Sequence, residues 1–197
     1  VILASALAVK TRRIAQICYF DPDTYPGVYN SSNILVEQGW EVDVVCLDIY
    51  GFGGKSFDPR VRIHRLPAVY PANRANGDKG SYFRFVRTVR QIGWSEKWDF
   101  VFGHDMMGFV AARLTRVAPV NKVAFWSLPL AKRGIYQLKR WFLRRCPLTI
   151  ATSDSRARLM RETLPLSRPP VVVYNSPRRD VTAPAEGRWR EKLGVQD

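Results

Sequence analysis

The chain has 197 residues, with 46% hydrophobic and 24% charged side chains. That suffices to bury the core of one ordinary domain and excludes disordered and fibrous classes. Lys and Arg number 31 against 17 Asp and Glu, a formal net charge of +14, which calls for an anionic partner and says nothing of fold.

The opening run Val1 to Val9 is apolar but far short of the ~20 residues of a membrane span. No basic region precedes it, which argues against a signal peptide, and the missing initial Met predicts a fragment or an unusual start. Residues 14–20 (IAQICYF) read as a buried first strand, and 21–27 as a loop rich in Pro, Asp and Gly. Asn30 or Ser31 is placed to cap a helix that runs to Gln38 and ends at Gly39. Strands follow at 42–47 and, with the alternation of an exposed edge, at 61–66. On that edge His64 is expected at the surface. A polar loop near 73–80 leads to a helix over 82–94, with Phe83, Val86, Val89 and Ile92 available for its inner face. Further strands are predicted at 99–103, 122–126, 148–151 and 171–174, and helices at 104–117, 131–145 and 153–163, with Ser153 as cap. A Pro-rich loop and a short helix near 188–193 close the chain.

Cys18, Cys46 and Cys146 are far apart in sequence. The first two lie in apolar runs and are read as buried small hydrophobes of a reducing compartment. No Cys/His cluster points to a metal, so no metal and no cofactor are expected.

The alternation of strand and helix predicts an α/β fold, a Rossmann-like three-layer sandwich with a mostly parallel sheet. Such sheets bind ligands at the carboxyl ends of their strands, near a switch in strand order. That singles out Asp21 to Asn30, His104 and Asp105, Ser127, Ser153 and Asp154, and Asn175.

Four stretches at these junctions carry a resemblance. Residues 25–45 (YPGVYNSSNILVEQGWEVDVV) are similar to the opening loop and helix of glycosyltransferase family 4, which ends in GHEVxVV; Trp40 stands where His is commonest. Residues 98–105 (WDFVFGHD) resemble its DVIHAHD strand end, 148–155 (LTIATSDS) its LVIAxS, and 171–175 (VVVYN) its VVPN at the interdomain crossing. Their order and spacing extend over most of the chain. The resemblance implies one half of a GT-B fold: a Rossmann-like acceptor-side domain over 1–185, with 186–197 entering the crossing to a donor domain, in the same or another chain, that is absent here. It implies a retaining, metal-independent glycosyltransferase of hexosyl type. A sugar would pass from a nucleotide-sugar, bound mainly by the missing domain, to a saccharide or lipid-linked acceptor. The chain alone is then expected to be inactive. One departure matters. Where the family often ends its fifth strand with a His beside the sugar, this chain has residues 125–129 (FWSLP), leaving Ser127 as the candidate there.

Each candidate has two readings. Gly27, Tyr29 and Asn30 either approach a ligand at the start of the first helix or belong to a plain strand-to-helix turn. The single glycine there is no dinucleotide fingerprint. His104 either binds acceptor hydroxyls and exchanges a proton or packs at a helix start. Asp105 is read as that helix's cap. Ser153 and Asn175 complete the substrate-side set.

The predicted helix 131–145 holds six basic residues and no acid. At ~100° per residue, Ile135, Leu138, Trp141 and Phe142 share one arc. Lys132, Arg133, Lys139, Arg140 and Arg144 share the other, with Tyr136 and Leu143 among them. It is either an ordinary amphipathic helix or a docking face for an anionic membrane, which would place a cytoplasmic protein peripherally on the inner face. The competing class is a non-catalytic polyanion-binding module for nucleic acid or membrane, although no nucleic-acid-binding signature supports it. A third is a non-catalytic partner of a separately encoded donor domain.

Overall fold

The computed structural model describes residues 12–50, 57–67, 79–116, 123–126 and 141–174. β1 (Arg13–Ile17) leads through a 3-10 turn (Pro22–Thr24) to α1 (Pro26–Glu37) and β2 (Glu41–Asp48). β3 (Arg62–Pro67), α2 (Lys79–Glu96), β4 (Phe100–Gly103) and α3 (Met106–Thr115) follow. β5 (Val123–Trp126), β6 (Thr149–Ala151), α4 (Asp154–Thr163) and β7 (Val171–Val172) complete the described elements. The seven strands form one sheet in the order β3-β2-β1-β4-β5-β6-β7, with every pairing parallel. β3 is an edge, as its alternation predicts.

The chain walks outward from β1 to β3 and then returns to β4 on the other side of β1. Right-handed crossovers therefore put the helices of the two halves on opposite faces. The core divides accordingly. Val28 and Val36 of α1 pack on Val42, Val44 and Cys46 of β2, while α2, α3 and α4 cover the other face, where Phe85, Phe109, Ala111 and Met160 meet Ala15, Ile17, Val45 and Val101.

α1 starts earlier than the capping residues predict. Pro26 occupies its first turn after Tyr25 in extended backbone, with no side-chain cap. Proline's fixed φ and missing N–H suit that position. Asn30 and Ser31 thus lie inside the helix. The helix ends, as expected, at Gly39, whose φ of 80° favours a residue without Cβ. Asp105 caps α3, accepting from the Gly108 amide at 2.8 Å. A Cβ on Gly108 would strike the Ile17 carbonyl, so this glycine lets α3 seat its amino end against β1.

In α2 the predicted inner face holds at Val86, Val89 and Ile92, which pack in or against the core, and fails at Phe83. Phe85 and Val89 are buried, while Phe83 is 72% exposed. Tyr19 stacks edge-on with Phe85 at 5.0 Å, so position 85 supplies the aromatic that the core takes.

The amino ends of the strands carry an ionic network. Asp43 is fully buried and accepts from Arg62 (2.8 Å) and the Trp98 indole N–H (2.8 Å), with His64 Nε2 at 2.9 Å. Arg62 and Arg13 both also reach Glu96. His64 is therefore no free surface residue: the ring leans inward onto a carboxylate that needs partners. Burial pushes the Asp43 pKa up, but the hydrogen bonds from His64 and Trp98 and the Arg62 charge outweigh it, and the net shift is downward.

Candidate functional site

The switch in strand order falls between β1 and β4, and beside it a cleft of about 180 Å³ opens. Gly27, Asn30, Ser31 and Ile34 form its α1 wall, and Phe102 and His104 come from β4 and its carboxyl end. Ile150 and Thr152 enter from β6, and Val173 and Tyr174 from beyond β7. The four α1 residues follow helical spacing, so one stripe of the helix faces the cleft.

Beneath it lies a chain of neutral hydrogen bonds. Gln16, 1% exposed next to the carboxyl end of β1, donates from Nε2 to the Ser32 hydroxyl at 2.8 Å. Its Oε1 accepts from the Ser31 hydroxyl (2.9 Å) and from His104 Nε2 (2.5 Å). An amide oxygen cannot donate, so His104 carries its proton on Nε2 and leaves Nδ1 as an acceptor. Burial lowers the His104 pKa to about 3. The ring is thus neutral near pH 7, suited to accepting a hydrogen bond and poorly suited to taking a proton.

Asp105, next in the chain, accepts from the Tyr19 and Gly108 amides. Burial raises its pKa despite those bonds. Asp21 braces the loop after β1 by accepting from the Ile49 and Tyr50 amides at 3.2 and 3.1 Å.

The structure gathers Gly27, Asn30 and His104 around one cleft. Tyr29 points elsewhere: it packs in the α1 core, with its ring centroid 6.2 Å from that of Phe57. Asp105 and Ser153 serve as helix caps, Ser153 accepting from the Arg156 amide at 3.3 Å. Ser127 and Asn175 lie outside the described residues, as do Lys132, Arg133, Tyr136, Lys139 and Arg140. Arg144 is exposed, but Leu143 is fully buried in the main core, and Trp141 is exposed instead. Phe142 explains this phase: it packs against Phe109 of α3 at 6.5 Å, under the Arg113 guanidinium, and carries Leu143 inward with it. Leu143 is thereby removed from any lipid-facing set.

Sequence reasoning missed Gln16, Phe102, Ile150, Thr152 and Tyr174. Gln16 had a signal, being the one polar residue within an apolar strand. No group of three or more His, Cys, Asp or Glu is placed to hold a metal among the described residues, and none of their helices is long and apolar enough to cross a membrane.

The Glycosyl transferase 4-like domain family matches residues 27–176, from the first turn of α1 through β7. The chain belongs to that family. The domain's fold is also that of one Rossmann-like half of GT-B glycosyltransferases. Sucrose-phosphate synthase from Thermosynechococcus elongatus superposes with a TM-score of 0.67 at 12% identity, over 94% of this chain and 53% of that one. Anabaena HepE, solved with UDP and glucose, gives 0.61 at 13% identity, over 94% and 50%. MurG of Acinetobacter baumannii gives 0.54 at 15%, over 88% and 48%. The domain thus spans about half the length of these structural relatives. No curated protein sequence matches it.

Proposed function

We propose that this domain is the acceptor-side half of a retaining glycosyltransferase, moving a hexosyl group from a nucleotide-sugar to a saccharide or lipid-linked acceptor. A donor half, in the same chain or another, would supply the nucleotide site, and the domain alone would not turn over substrate. The observation that carries the reading is the cleft at the switch point with a neutral His104 in its wall. Ile34, Phe102 and Ile150 offer an apolar wall to the carbon face of a sugar ring, and Asn30, Ser31 and Thr152 offer polar atoms to its hydroxyls. The neutral His104 ring would shape the floor of that wall, held in place by its Gln16 contact. Family membership supports transferase chemistry, and the HepE complex with UDP and glucose supports a nucleotide-sugar donor. An acceptor held in lipid would place the enzyme in the cytoplasm, peripherally on the inner face of a membrane.

The test is His104→Gln in the full-length enzyme, since its amide can still donate to Gln16. Acceptor KM should rise a few-fold as the wall of the cleft changes shape, with the fold retained. Unchanged kinetics beside a lowered melting temperature would leave His104 a packing residue. Turnover of a UDP- or GDP-sugar by the isolated 197-residue domain would remove the need for a donor half.

A further inference from the structure

The outer face of α2 carries a surface that the cleft does not use. Its inner side is committed to the fold: Phe85 and Val89 are buried, and Glu96 is held by Arg13 and Arg62. On the outer side Phe83 is 72% exposed and Trp94 61%, with Arg84, Arg87 and Arg90 exposed beside them. At ~100° per residue Phe83, Arg87, Arg90 and Trp94 fall in one narrow strip, with Arg84 on its flank. A rise of 1.5 Å per residue sets the two aromatics about 16 Å apart along it. The Arg90 guanidinium lies over the Trp94 ring, 4.6 Å from its centroid. Glu96 is the sole acid of this helix, and it faces inward, so the strip is purely cationic and aromatic.

We infer that α2 docks the domain on an anionic lipid bilayer, Phe83 and Trp94 entering the headgroup region while Arg84, Arg87 and Arg90 meet lipid phosphates. Charge complementarity selects an anionic partner. The aromatic pair selects a bilayer over nucleic acid: the strip is the convex outside of one helix, which can lie flat in an interface. Strand binding instead uses a basic groove that tracks the backbone. Of the basic segment 131–145, the described residue Leu143 belongs to the core. The inference needs no sugar transfer, so it can fail or hold independently of the proposed reaction.

The experiment is cosedimentation of the full chain with vesicles of phosphatidylcholine and phosphatidylglycerol in equal parts, with pure phosphatidylcholine as control. Single-stranded RNA is titrated at the same salt. Wild type should bind the mixed vesicles, ignore the neutral ones and be released by salt. Arg84→Gln, Arg87→Gln and Arg90→Gln together should weaken vesicle binding about a hundredfold, at about fivefold per arginine. Phe83→Ser with Trp94→Ser should weaken it at least about tenfold. Brominated phosphatidylcholine in the mixed vesicles should quench wild-type tryptophan emission, and Trp94→Phe should lose that component; this readout needs no disruptive variant. No binding to the mixed vesicles at low salt, binding unmoved by either variant set, no Trp94-dependent quench, or an aromatic variant that weakens RNA binding more than vesicle binding would each overturn the inference.

Discussion

The two ends of the parallel sheet are built from different chemistry. At the amino ends, Asp43 is buried among Arg62, His64 and Trp98, with Arg13, Glu41 and Glu96 around it. At the carboxyl end of β1, Gln16 is buried among Ser31, Ser32 and His104, and every bond is neutral. Both ends solve the same problem, a polar side chain out of water that must be partnered. The charged solution resists rearrangement, because removing one member leaves an uncompensated ion. The neutral one holds an uncharged imidazole at the wall of the cleft. Each end holds one of the chain's two histidines, and the surroundings decide that His64 braces an edge strand while His104 borders the cleft.

The largest effect expected from breaking this contrast is at the amino end. Asp43→Ala leaves the Trp98 N–H and the inward face of Arg62 without their buried acceptor. It should destabilise the domain by about 3–5 kcal/mol, read by chemical denaturation. Ser32→Ala removes one neutral partner of Gln16 and should cost less than half of that. Equal costs would erase the distinction between the two ends.

Acid separates the ends by pH window. His104 has its folded pKa lowered from 6.5 to about 3, so the unfolded chain binds the proton that the folded one refuses. Stability on this account is full above 6.5 and falls with pH toward about 3. The loss near pH 4 is about 3 kcal/mol at most, at about 1.4 kcal/mol per unit. Asp43 has its folded pKa lowered below 3.8, so its contribution is present above that value and disappears only as pH falls through the folded one. Asp105, raised by burial, works in the opposite sense. The variant His104→Gln therefore isolates the first window: its unfolding free energy should fall less than wild type between pH 7 and about 4, and both should drop below that. Parallel curves across the upper window would mean that His104 titrates in the folded protein.

The alternation of apolar runs and amphipathic segments was enough to read the layers and the edge position of β3. What it misplaced has a common cause: helix phase. In α2, Phe83 and Phe85 are equivalent by composition, and contact with Tyr19 decides which goes in. In 141–143, the Phe142 contact with Phe109 pulls Leu143 into the core and turns Trp141 out. The start of α1 was misread because Ser31 resembles a cap, while the Pro26 ring sets the first turn four residues before Asn30. The cleft's α1 stripe was partly legible through Gly27 and Asn30, but Phe102, Ile150 and Tyr174 reach it only once β4 to β7 are assembled in one sheet. Tyr29, two positions from Gly27 on the helix, necessarily points away from it.

The smallest effect tests whether a residue at a strand's carboxyl end must belong to the site. Ser153 lies two residues past β6 and was a natural substrate candidate, yet its hydroxyl accepts from the Arg156 amide and caps α4. The bond is long at 3.3 Å and exposed to water, and Ser155 Oγ lies 3.0 Å away, so water or a neighbour can replace much of it. Ser153→Ala should therefore cost about 0.5–1 kcal/mol in unfolding free energy, toward the low end of cap substitutions. Because Thr152 lines the cleft and Ser153 does not, the same variant in the full-length enzyme should keep its acceptor KM, whereas Thr152→Val should raise it. A raised KM in Ser153→Ala at unchanged stability would mean that the cap hydroxyl also reaches the acceptor. The functional end of the sheet would then extend past the cleft onto the start of α4.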